Sequence, residues 1–493
     1  MIAVVLALLI VPLAAAVICA TLLTTKAVPA KVAPAVTVVS GVGCFALVLA
    51  LIPAVAHRDL NYLSYLRIDA VSEIFLLATG FLYAAVAVYA VGYIGHHGKD
   101  DRYAKRFYAG LNLFAWSMLA APMMSSLALL WIAVEVTTIV SALLVAIENT
   151  DGAAEAAWKY VLIASAGLGL ALLATVFAYY AGSQVLGEHY NLAIQPLLHA
   201  GPRLPRTPVR LAFMLATLGY GTKVGLFPVH TWLPDAHSEA PTPVSAMLSG
   251  SLLAVSFYAI LRYYQVAATT LGSGFPRDTL LAFGVASLLL AALYLFGQRD
   301  IKRMLAYSSV EHMGILAIGV SFGAPVALAG VLLHVLAHAA AKGNAFMGAG
   351  VFTVKFGSKQ LSALRGGLDV LPWSGPLFLL AVFALSAMPP SGIFRSEFEI
   401  VYGGLSSGSY AAAAVLVVLV TVAFFGLTTS TTRMLFSPAA RRPAPPMTRG
   451  EPSAWMVVPV VAGVVVLLIL GLHPPGELTG LIARAVTQLA VTR

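Results

Sequence analysis

Four ionisable residues stand inside otherwise apolar runs, and their side chains are the ones most able to do chemistry. Glu135 lies within LALLWIAVEVTTIVSALLVAI, Lys223 within LATLGYGTKVGLFP, Lys342 within HVLAHAAAKGNAF, and Glu397 follows SAMPPSGIFRS. A charge at the middle of a membrane-spanning helix costs about 2.5–3.5 kcal/mol on insertion scales, so such residues usually mark an ion or proton pathway. We therefore predict that these four residues lie on a proton pathway.

Glu135 and Lys223 have two interpretations. They could form a structural ion pair, or they could load and release a proton together. Burial favours the neutral form of each group, whereas their mutual attraction favours the charged forms. A lysine balanced in this way can change its charge near neutral pH when the carboxylate moves, and we prefer this second interpretation.

The spacing of His334, His338 and Lys342 places three ionisable groups on one face of a helix. At i, i+4 and i+8, neighbours lie about 6 Å apart and the stripe is about 12 Å long. Two histidines at this spacing can chelate zinc, but no cysteine or carboxylate completes the set, so we predict no metal. Buried histidines that only pack are an alternative to the interior proton wire that we prefer.

Other ionisable residues flank these positions. Glu155 and Lys159 are four residues apart near the start of a span, where an interfacial pair is as good an interpretation as a functional one. Glu311 and His312 open another predicted span and carry the same two interpretations. We assign these four a supporting role, together with the polar residues that follow Lys223: His230, Asp235, His237 and Glu239.

Glycine and proline interrupt two of the apolar runs. Gly225 and Pro228 break one predicted helix, and Pro389 and Pro390 break another. Paired interruptions in two halves of a chain are typical of inverted-repeat transporters. Each break exposes polar groups to internal water, where a transported ion can stop.

The elements that position these residues are membrane helices. Of the 493 residues, 60% are hydrophobic and 10% are charged, whereas a soluble domain carries about 25% charged residues. Apolar runs near the roughly 20 residues that cross a bilayer recur along the chain. We predict an all-α polytopic membrane protein whose first span is retained rather than cleaved. The fourteen predicted spans are 1–25, 32–56, 69–95, 104–121, 124–147, 157–182, 208–229, 241–264, 278–297, 304–321, 325–354, 374–402, 408–433 and 453–472.

The spans fall into four regions with two similar sets. These regions are the N-terminal helices 1–103, a five-span set 104–264, a second five-span set 278–433, and a linker with the last span 434–493. Candidate residues of the two sets are offset by 174 to 176 positions, as from Lys223 to Glu397. Since an odd number of spans inverts the second copy, we predict two inverted five-helix repeats with discontinuous seventh and twelfth helices.

Basic residues predict the orientation. Seventeen Lys and Arg residues fall on one predicted side and nine on the other, and the richer side should be cytoplasmic. Both termini then face outside. The stretch 183–207 is long enough for a short interfacial helix, and 437–452 is a proline- and arginine-containing linker.

The sequence contains no recognisable motif for binding a redox cofactor. Only Cys19 and Cys44 are present, both in apolar runs, so the chain has no disulfide framework and no CxxC cluster site. It also lacks a Walker loop, a dinucleotide fingerprint and a haem attachment motif. We predict no cofactor on this chain, and the net charge of +9 needs no nucleic acid to explain it.

The chain resembles the antiporter-like, proton-translocating membrane subunits of respiratory complex I, membrane-bound hydrogenases and Mrp antiporters. The motif that carries this resemblance is GTKVGLFPVHTWLPDAHSEAPTPVSAMLSG, supported by WIAVEVTT, AAWKYVLI, QRDIKRMLAYSSVEHMG, LLHVLAHAAAKGNAF and MPPSGIFRSEF. Within this superfamily it most resembles hydrogenase-4 component F. The resemblance implies that Glu135 is the fifth-helix glutamate, Lys223 the seventh-helix lysine, and Glu397 the acid on the broken twelfth helix. It places His338 and Lys342 on the eleventh.

One departure from the family pattern concerns the eighth span. Relatives that pump often carry a lysine or histidine there, whereas this chain has Leu248 and Ala254 at the corresponding places. A central relay would then need water, Ser251, Ser256 or Tyr258.

We predict a membrane subunit that translocates protons in a hydrogenase-4-like or complex I-like redox-driven complex, with no redox site of its own. One alternative is a cation/proton antiporter subunit of the Mrp type, which would move Na⁺. Another is a non-pumping paralogue that anchors a catalytic arm. The predicted partners are other antiporter-like subunits, a peripheral redox arm and lipid, and the predicted location is a prokaryotic inner membrane.

Overall fold

Long helices make up nearly all of the protein. The structure, a computed structural model, describes residues 1–23, 31–96, 98–438 and 448–490. The helices of the first half are α1 (Ile2–Thr21), α2 (Val32–Val55), α3 (Ala70–Gly95), α4 (Asp101–Ala120), α5 (Leu127–Val145), α6 (Asp151–Leu186), α7 (Ile194–Ala200), α8 (Arg206–Val224), α9 (Trp232–Glu239), α10 (Thr242–Met247) and α11 (Leu253–Leu271).

A second series of helices follows. It consists of α12 (Gly274–Tyr294), α13 (Ile301–Phe322), α14 (Pro325–Phe356), α15 (Gly367–Val370), α16 (Ser374–Leu385), α17 (Gly392–Ser406), α18 (Tyr410–Phe436), α19 (Ala454–Leu472) and α20 (Gly476–Leu489). A π-helical turn, Leu248–Leu252, joins α10 to α11. The antiparallel strands β1 (Leu60–Tyr62) and β2 (Leu66–Ile68) form a small hairpin before α3.

Eleven helical segments of the described residues are long and apolar enough to cross a membrane. Three predicted spans fall outside that set for physical reasons. The span 104–121 carries charged residues in the first turns of α4, 208–229 includes Arg210 and Lys223, and 374–402 is divided between two helices. The all-α membrane fold is confirmed, while the count of fourteen stays a prediction.

Both predicted helix breaks are present. Helix α8 ends at Val224, and Gly225 follows with φ of 82°, a conformation that glycine adopts without steric cost. Helix α16 ends at Leu385, and α17 begins at Gly392 after Ser391, whose hydroxyl caps the new helix. Each break also contains a cis peptide bond, at Pro228 and Pro390.

The central helices are the most buried. Every residue in the apolar windows of Thr242–Leu271 and Ile301–Phe322 is buried, and α14 is nearly as enclosed. Helices α1, α2, α12, α18 and α19 bury only one face. Helix pairs also recur in the two five-span sets: α5 packs on α6 as α13 packs on α14, and α6 packs on α8 as α14 packs on α16. The boundaries of the predicted repeats and their inversion stay predictions.

Ion pairs fix the helices to one another in two separate groups. In one group Lys359 pairs with Glu239 at 2.5 Å, and in the other Arg262 of α11 pairs with Asp69, the cap of α3, at 2.6 Å. Burial opposes the charge of Asp69, but Arg262 and Arg67 outweigh it and hold the pKa of that carboxyl well below its usual range. Lys359 is one of the seventeen basic residues counted on the richer side, and Arg67 and Arg262 are among the nine counted on the other. Which side faces the cytoplasm stays a prediction, and Lys26, Arg441, Arg442 and Arg493 of that count lie outside the described residues.

Two short helices lie outside the predicted spans. Helix α7 is a short helix within 183–207, where one was expected, and its interfacial position stays a prediction. Helix α20 was missed because its apolar residues occupy one face only, where Leu481, Ala485 and Leu489 are buried. Its Arg484 pairs with Asp59 at 2.5 Å. The predicted linker 437–452 lies largely outside the described residues.

Candidate functional site

Lys223 is completely buried and held by neutral oxygens. Its Nζ donates to the Val134 carbonyl at 3.2 Å, to Thr137 Oγ1 at 2.5 Å and to Thr138 Oγ1 at 2.8 Å. All three acceptors lie on α5, so α5 and α8 together form the site. An ammonium group has three protons, and each of them has an acceptor here. The lysine is therefore satisfied without a carboxylate in contact.

Glu135 lies on the outer side of α5 rather than against Lys223. Its Oε1 accepts from Ser165 at 3.5 Å, and its Oε2 is buried without a hydrogen-bond partner. The residues on either side of it along this face, Ile132 and Ile139, are 50% and 58% exposed. Among the described residues no ion pair includes Glu135 or Lys223, so the two side chains do not form the structural ion pair of the first interpretation. Their joint role in loading and releasing a proton stays a prediction. The two groups are neighbours through α5.

Lys342 occupies a similar environment in the second five-span set. Its Nζ donates to the Leu305 carbonyl at 2.9 Å and to Ser308 Oγ, both on α13. The next residue, Ser309, shares a 2.8 Å hydrogen bond with Ser249 of the π-helical turn. Both lysines are thus buried against an apolar helix and held by its carbonyl and hydroxyl oxygens. Sequence reasoning missed the serines because serine is common in apolar helices.

Three histidines and an acid cluster beyond Lys342. His334 Nε2 lies 3.1 Å from His312 Nδ1, and His334 Nδ1 lies 2.9 Å from Ser396 Oγ. Glu397 Oε1 is 3.9 Å from His312 Nδ1. His312 and His334 are completely buried, and Glu397 is 8% exposed. Helices α13, α14 and α17 therefore supply one residue or more each to a single buried cluster.

Hydrogen bonding assigns the protons of this cluster. Ser396 Oγ donates to the Ile393 carbonyl at 2.8 Å, so it accepts from the Nδ1–H of His334. A neutral His334 then accepts at Nε2 from the Nδ1–H of His312. The outer nitrogen of His312, Nε2, has no partner. The cluster is thus a directional chain of donors and acceptors, as a proton relay requires.

His338 and Glu311 complete the cluster without hydrogen bonds of their own. Both ring nitrogens of His338 lack partners, and its ring centroid lies 5.2 Å from that of His312. Glu311 is buried and its Oε2 has no partner. Glu311 and His312 lie in the middle of α13, so the expectation that they open a span is wrong. The true start of α13, capped by Asp300, lies a full three turns earlier.

The cluster also has the composition of a metal site. Ligand atoms of His312, His334 and Glu397 all lie within 4.8 Å of one another. Two histidines and one carboxylate are a common zinc ligand set, and Ser396 would orient one imidazole. The sequence argument that no carboxylate completes a zinc site was wrong, because α17 brings Glu397 to the histidines of α13 and α14. The residues fit either a metal ion or a proton relay.

The broken segment after Lys223 links the two sets. Asp235 pairs with Arg303 at 2.5 Å, and Glu239 pairs with Lys359 at 2.5 Å. His237 is completely buried, has no hydrogen-bond partner at either ring nitrogen, and stacks on Phe346 at 5.2 Å. The two acids are therefore structural contacts, whereas the histidine faces the interior. His230, in the break itself, is largely buried as well.

Glu155 and Lys159 form a surface pair. Their side chains are 58% and 37% exposed and lie 2.5 Å apart. Asp235 lies 3.8 Å from the same lysine. This position at the protein surface fits the interfacial interpretation, and no contact connects the pair to the buried lysines.

The expected relay residues of the eighth span make other contacts. Ser251 bonds to Thr79 at 2.7 Å, Ser256 donates to the Leu252 carbonyl at 2.9 Å, and Tyr258 bonds to the Pro122 carbonyl at 3.0 Å. Ser249 is the residue of this span that reaches α13. One further acid, Glu73, is completely buried with both oxygens unpartnered, and its position near the start of a span gave no signal.

Comparisons with a family model and with individual proteins place this chain in the same family. Residues 124–425 match the family described as NADH:quinone oxidoreductase/Mrp antiporter, TM. A hydrogenase-4 component F homolog of Methylacidiphilum infernorum is 36% identical over 346 residues, covering 69% of this chain and 72% of that protein. Hydrogenase-4 component B of Escherichia coli is 30% identical over 348 residues, which cover 67% of this chain but only 50% of that protein.

Solved structures share the fold across nearly the whole chain. A chain of the archaeal membrane-bound sulfane sulfur reductase is 20% identical with a TM-score of 0.85, covering 98% of this chain and 97% of that one. A chain of the Mrp complex from Dietzia sp. is 21% identical with a TM-score of 0.83, covering 99% of each. At these identities the likeness establishes the fold.

Proposed function

The chain belongs to the NADH:quinone oxidoreductase/Mrp antiporter transmembrane family, and from that premise we propose that it translocates protons as a membrane subunit of a hydrogenase-4-like or complex I-like redox-driven complex. The observation that carries the proposal is the pair of buried lysines, each held by neutral oxygens alone. A charged lysine in such a place loses solvation and gains no contacting carboxylate, so its neutral form becomes accessible. Proton release and uptake at Lys223 and Lys342 then need only small changes in their surroundings.

The second lysine stands between two polar chains. On one side, Ser308 accepts from Lys342, and the adjacent Ser309 bonds to Ser249 at 2.8 Å. On the other side, the histidine cluster leads to Glu397. Hydroxyl and imidazole groups both donate and accept, so each can pass a proton without carrying a permanent charge. We propose that protons move along this line and leave at Glu397, beside the broken helix.

Glu135 has a different role in this proposal. Because it lies on the exposed face of α5, a neighbouring subunit can cover it and change its charge. A change there acts on Lys223 across one helix, without a direct contact. The driving energy comes from partners, which we propose to be other antiporter-like subunits and a peripheral redox arm in a prokaryotic inner membrane with both termini outside. We propose no redox cofactor on this chain.

Cation/proton antiport is the second candidate, favoured by the fold shared with a chain of an Mrp complex. The cluster argues for protons instead. Sodium prefers oxygen ligands, as hard cations do, whereas His312, His334 and His338 offer nitrogen. A non-pumping structural subunit is the third candidate, and it leaves the two buried lysines without a role.

Proton uptake by proteoliposomes that contain the whole complex, with its redox reaction running, tests the proposal. Lys342→Arg and Lys223→Arg keep the positive charge but cannot release a proton, so both should assemble and abolish turnover-linked proton movement. Lys355→Arg, near the end of the same helix as Lys342, is the matched control and should pump normally. Normal proton uptake with both Lys223→Arg and Lys342→Arg would show that the two buried lysines have a structural role and do not release protons. Sodium-dependent uptake by the wild type would favour antiport.

A further inference from the structure

A deep groove lies between α1, α4 and α5, away from the buried lysines. Its volume is about 1040 Å³. Apolar side chains line most of its length, among them Leu13, Val17, Ala20 and Leu113. Val17 is 55% exposed, so the groove is open along its side. This shape suits a long apolar ligand that enters laterally from the membrane.

The groove follows α1 through much of one leaflet of a bilayer. Its α1 wall runs from Leu13 to Ala20, seven residues along the helix, and Leu23 extends the lining just past the end of α1. At 1.5 Å per residue the helical part is about 10 Å long, about two thirds of one leaflet of the roughly 30 Å hydrocarbon core. The groove can therefore hold much of an acyl chain of that leaflet.

Three basic residues form the polar end of the groove: Lys99, Arg102 and Arg106. Lys99 is already 3.4 Å from Glu148. Arg102 and Arg106 lie four residues apart on α4, are both exposed, and make no ion pair with any described residue. Residues at this spacing lie on the same side of a helix. Two guanidinium groups that have no ion-pair partner in the described part of the chain thus lie on one side of α4, at the basic end of the apolar groove.

The acids at this rim have other partners. Asp100 accepts from the Tyr103 amide at 2.9 Å as the cap of α4. Glu148 accepts from the Tyr103 hydroxyl at 2.6 Å, besides pairing with Lys99. Neither carboxylate lies within 4 Å of an arginine at the rim. The arginines are available to an external anion.

We propose that this groove binds an acidic phospholipid, with its phosphate on Arg102 and Arg106 and an acyl chain along α1. Guanidinium groups bind phosphate oxygens through paired hydrogen bonds, and the apolar wall supplies the contact that a soluble anion cannot use. The rim belongs to the basic end of the protein, where the predicted cytoplasmic leaflet carries anionic lipid. The lipid would brace α5, the helix that holds Lys223.

Lipid retention by the intact complex tests this. The complex, extracted in mild detergent, is placed in nanodiscs of mixed phosphatidylglycerol and phosphatidylcholine, and tightly bound lipid is measured by native mass spectrometry. Wild type should retain phosphatidylglycerol selectively. Arg102→Gln/Arg106→Gln should lower its affinity about tenfold or more, while Arg365→Gln/Arg433→Gln, exposed arginines elsewhere, should not. Ala20→Trp should fill the groove and lower retention with the arginines intact.

Any one of three other results would overturn the proposal. Equal retention by wild type and the Arg102/Arg106 variant would show that the lipid sits elsewhere. Equal retention of phosphatidylcholine and phosphatidylglycerol would remove the role of the arginines. Crosslinking of a partner subunit's helix to a photoreactive group at position 20 in the intact complex would identify the groove as a subunit interface instead.

Discussion

In the interior of the protein, Nε2 of His334 lies 3.1 Å from Nδ1 of His312, so one ring donates to the other. Ser396 sets the direction, because it accepts from the opposite nitrogen of His334. A proton arriving at one end of this pair can leave from the other only if both rings exchange their donor and acceptor nitrogens. The direction of the relay therefore depends on Ser396, a neutral residue that acts through hydrogen bonds alone.

Ser396→Ala should slow proton movement while leaving the complex assembled. Without the hydroxyl, His334 loses the partner that keeps its proton on Nδ1, and the neighbouring rings lose their fixed direction. A fall of about tenfold or more in turnover-linked uptake is expected, within the usual range for a positioned proton-transfer group. Ser396→Thr keeps the hydroxyl and should restore most of the rate. Equal rates for the alanine and threonine variants would count against a positioning role.

Glu135→Gln should change stability very little. Breaking a buried ion pair costs about 3–5 kcal/mol, but Glu135 lies on an exposed face and Lys223 has three other acceptors. The free energy of unfolding in detergent, measured by denaturant titration, should therefore fall by less than about 1 kcal/mol. Proton uptake should still fall, because the group that influences Lys223 is gone. A loss of stability as large as that of a buried pair would restore the structural interpretation.

The buried charges could be predicted from the sequence, but their partners could not. Lys223, Lys342 and Glu397 stand out because a charge in an apolar run is expensive. Ser308 and Ser396 give no such signal, since a serine can bond to its own helix at almost any position. The helix breaks were also predictable, because glycine and proline act locally.

The wrong expectations concern residues whose surroundings are decided by packing between helices. Glu311 was expected to open a span, yet α13 begins at Ile301 and buries the acid near its middle. The approach of Glu397 to His312 joins residues from three helices, and no local pattern encodes it. Glu135 and Lys223 do not form an ion pair because Glu135 lies on the exposed face of α5, whereas Lys223 contacts α5 from its buried side.

Asp69→Asn should destabilise the end of the protein near α20 by about 3–5 kcal/mol, because Arg262 is left buried without its partner. The pKa of Asp69 is lower in the folded protein than in the unfolded chain. Its contribution to stability is therefore present above the unfolded pKa of about 3.9 and is lost as pH falls below it. Unfolding measured from pH 7 down to pH 3 should show less pH dependence in the variant. Identical profiles for wild type and Asp69→Asn would contradict this.

Purified wild-type complex should contain no stoichiometric zinc at the histidine cluster. The ligand atoms of His312, His334 and Glu397 are close enough to hold one, but a bound ion would occupy the same lone pairs that the relay uses. Metal analysis of the intact complex, prepared without chelators, gives the zinc content per chain. His334→Gln is the informative comparison, since it removes one ligand and changes no surface residue. One zinc per chain in the wild type, lost in His334→Gln, would mean that the cluster is a metal site, and the proton route would have to pass through Glu311 or His338 instead.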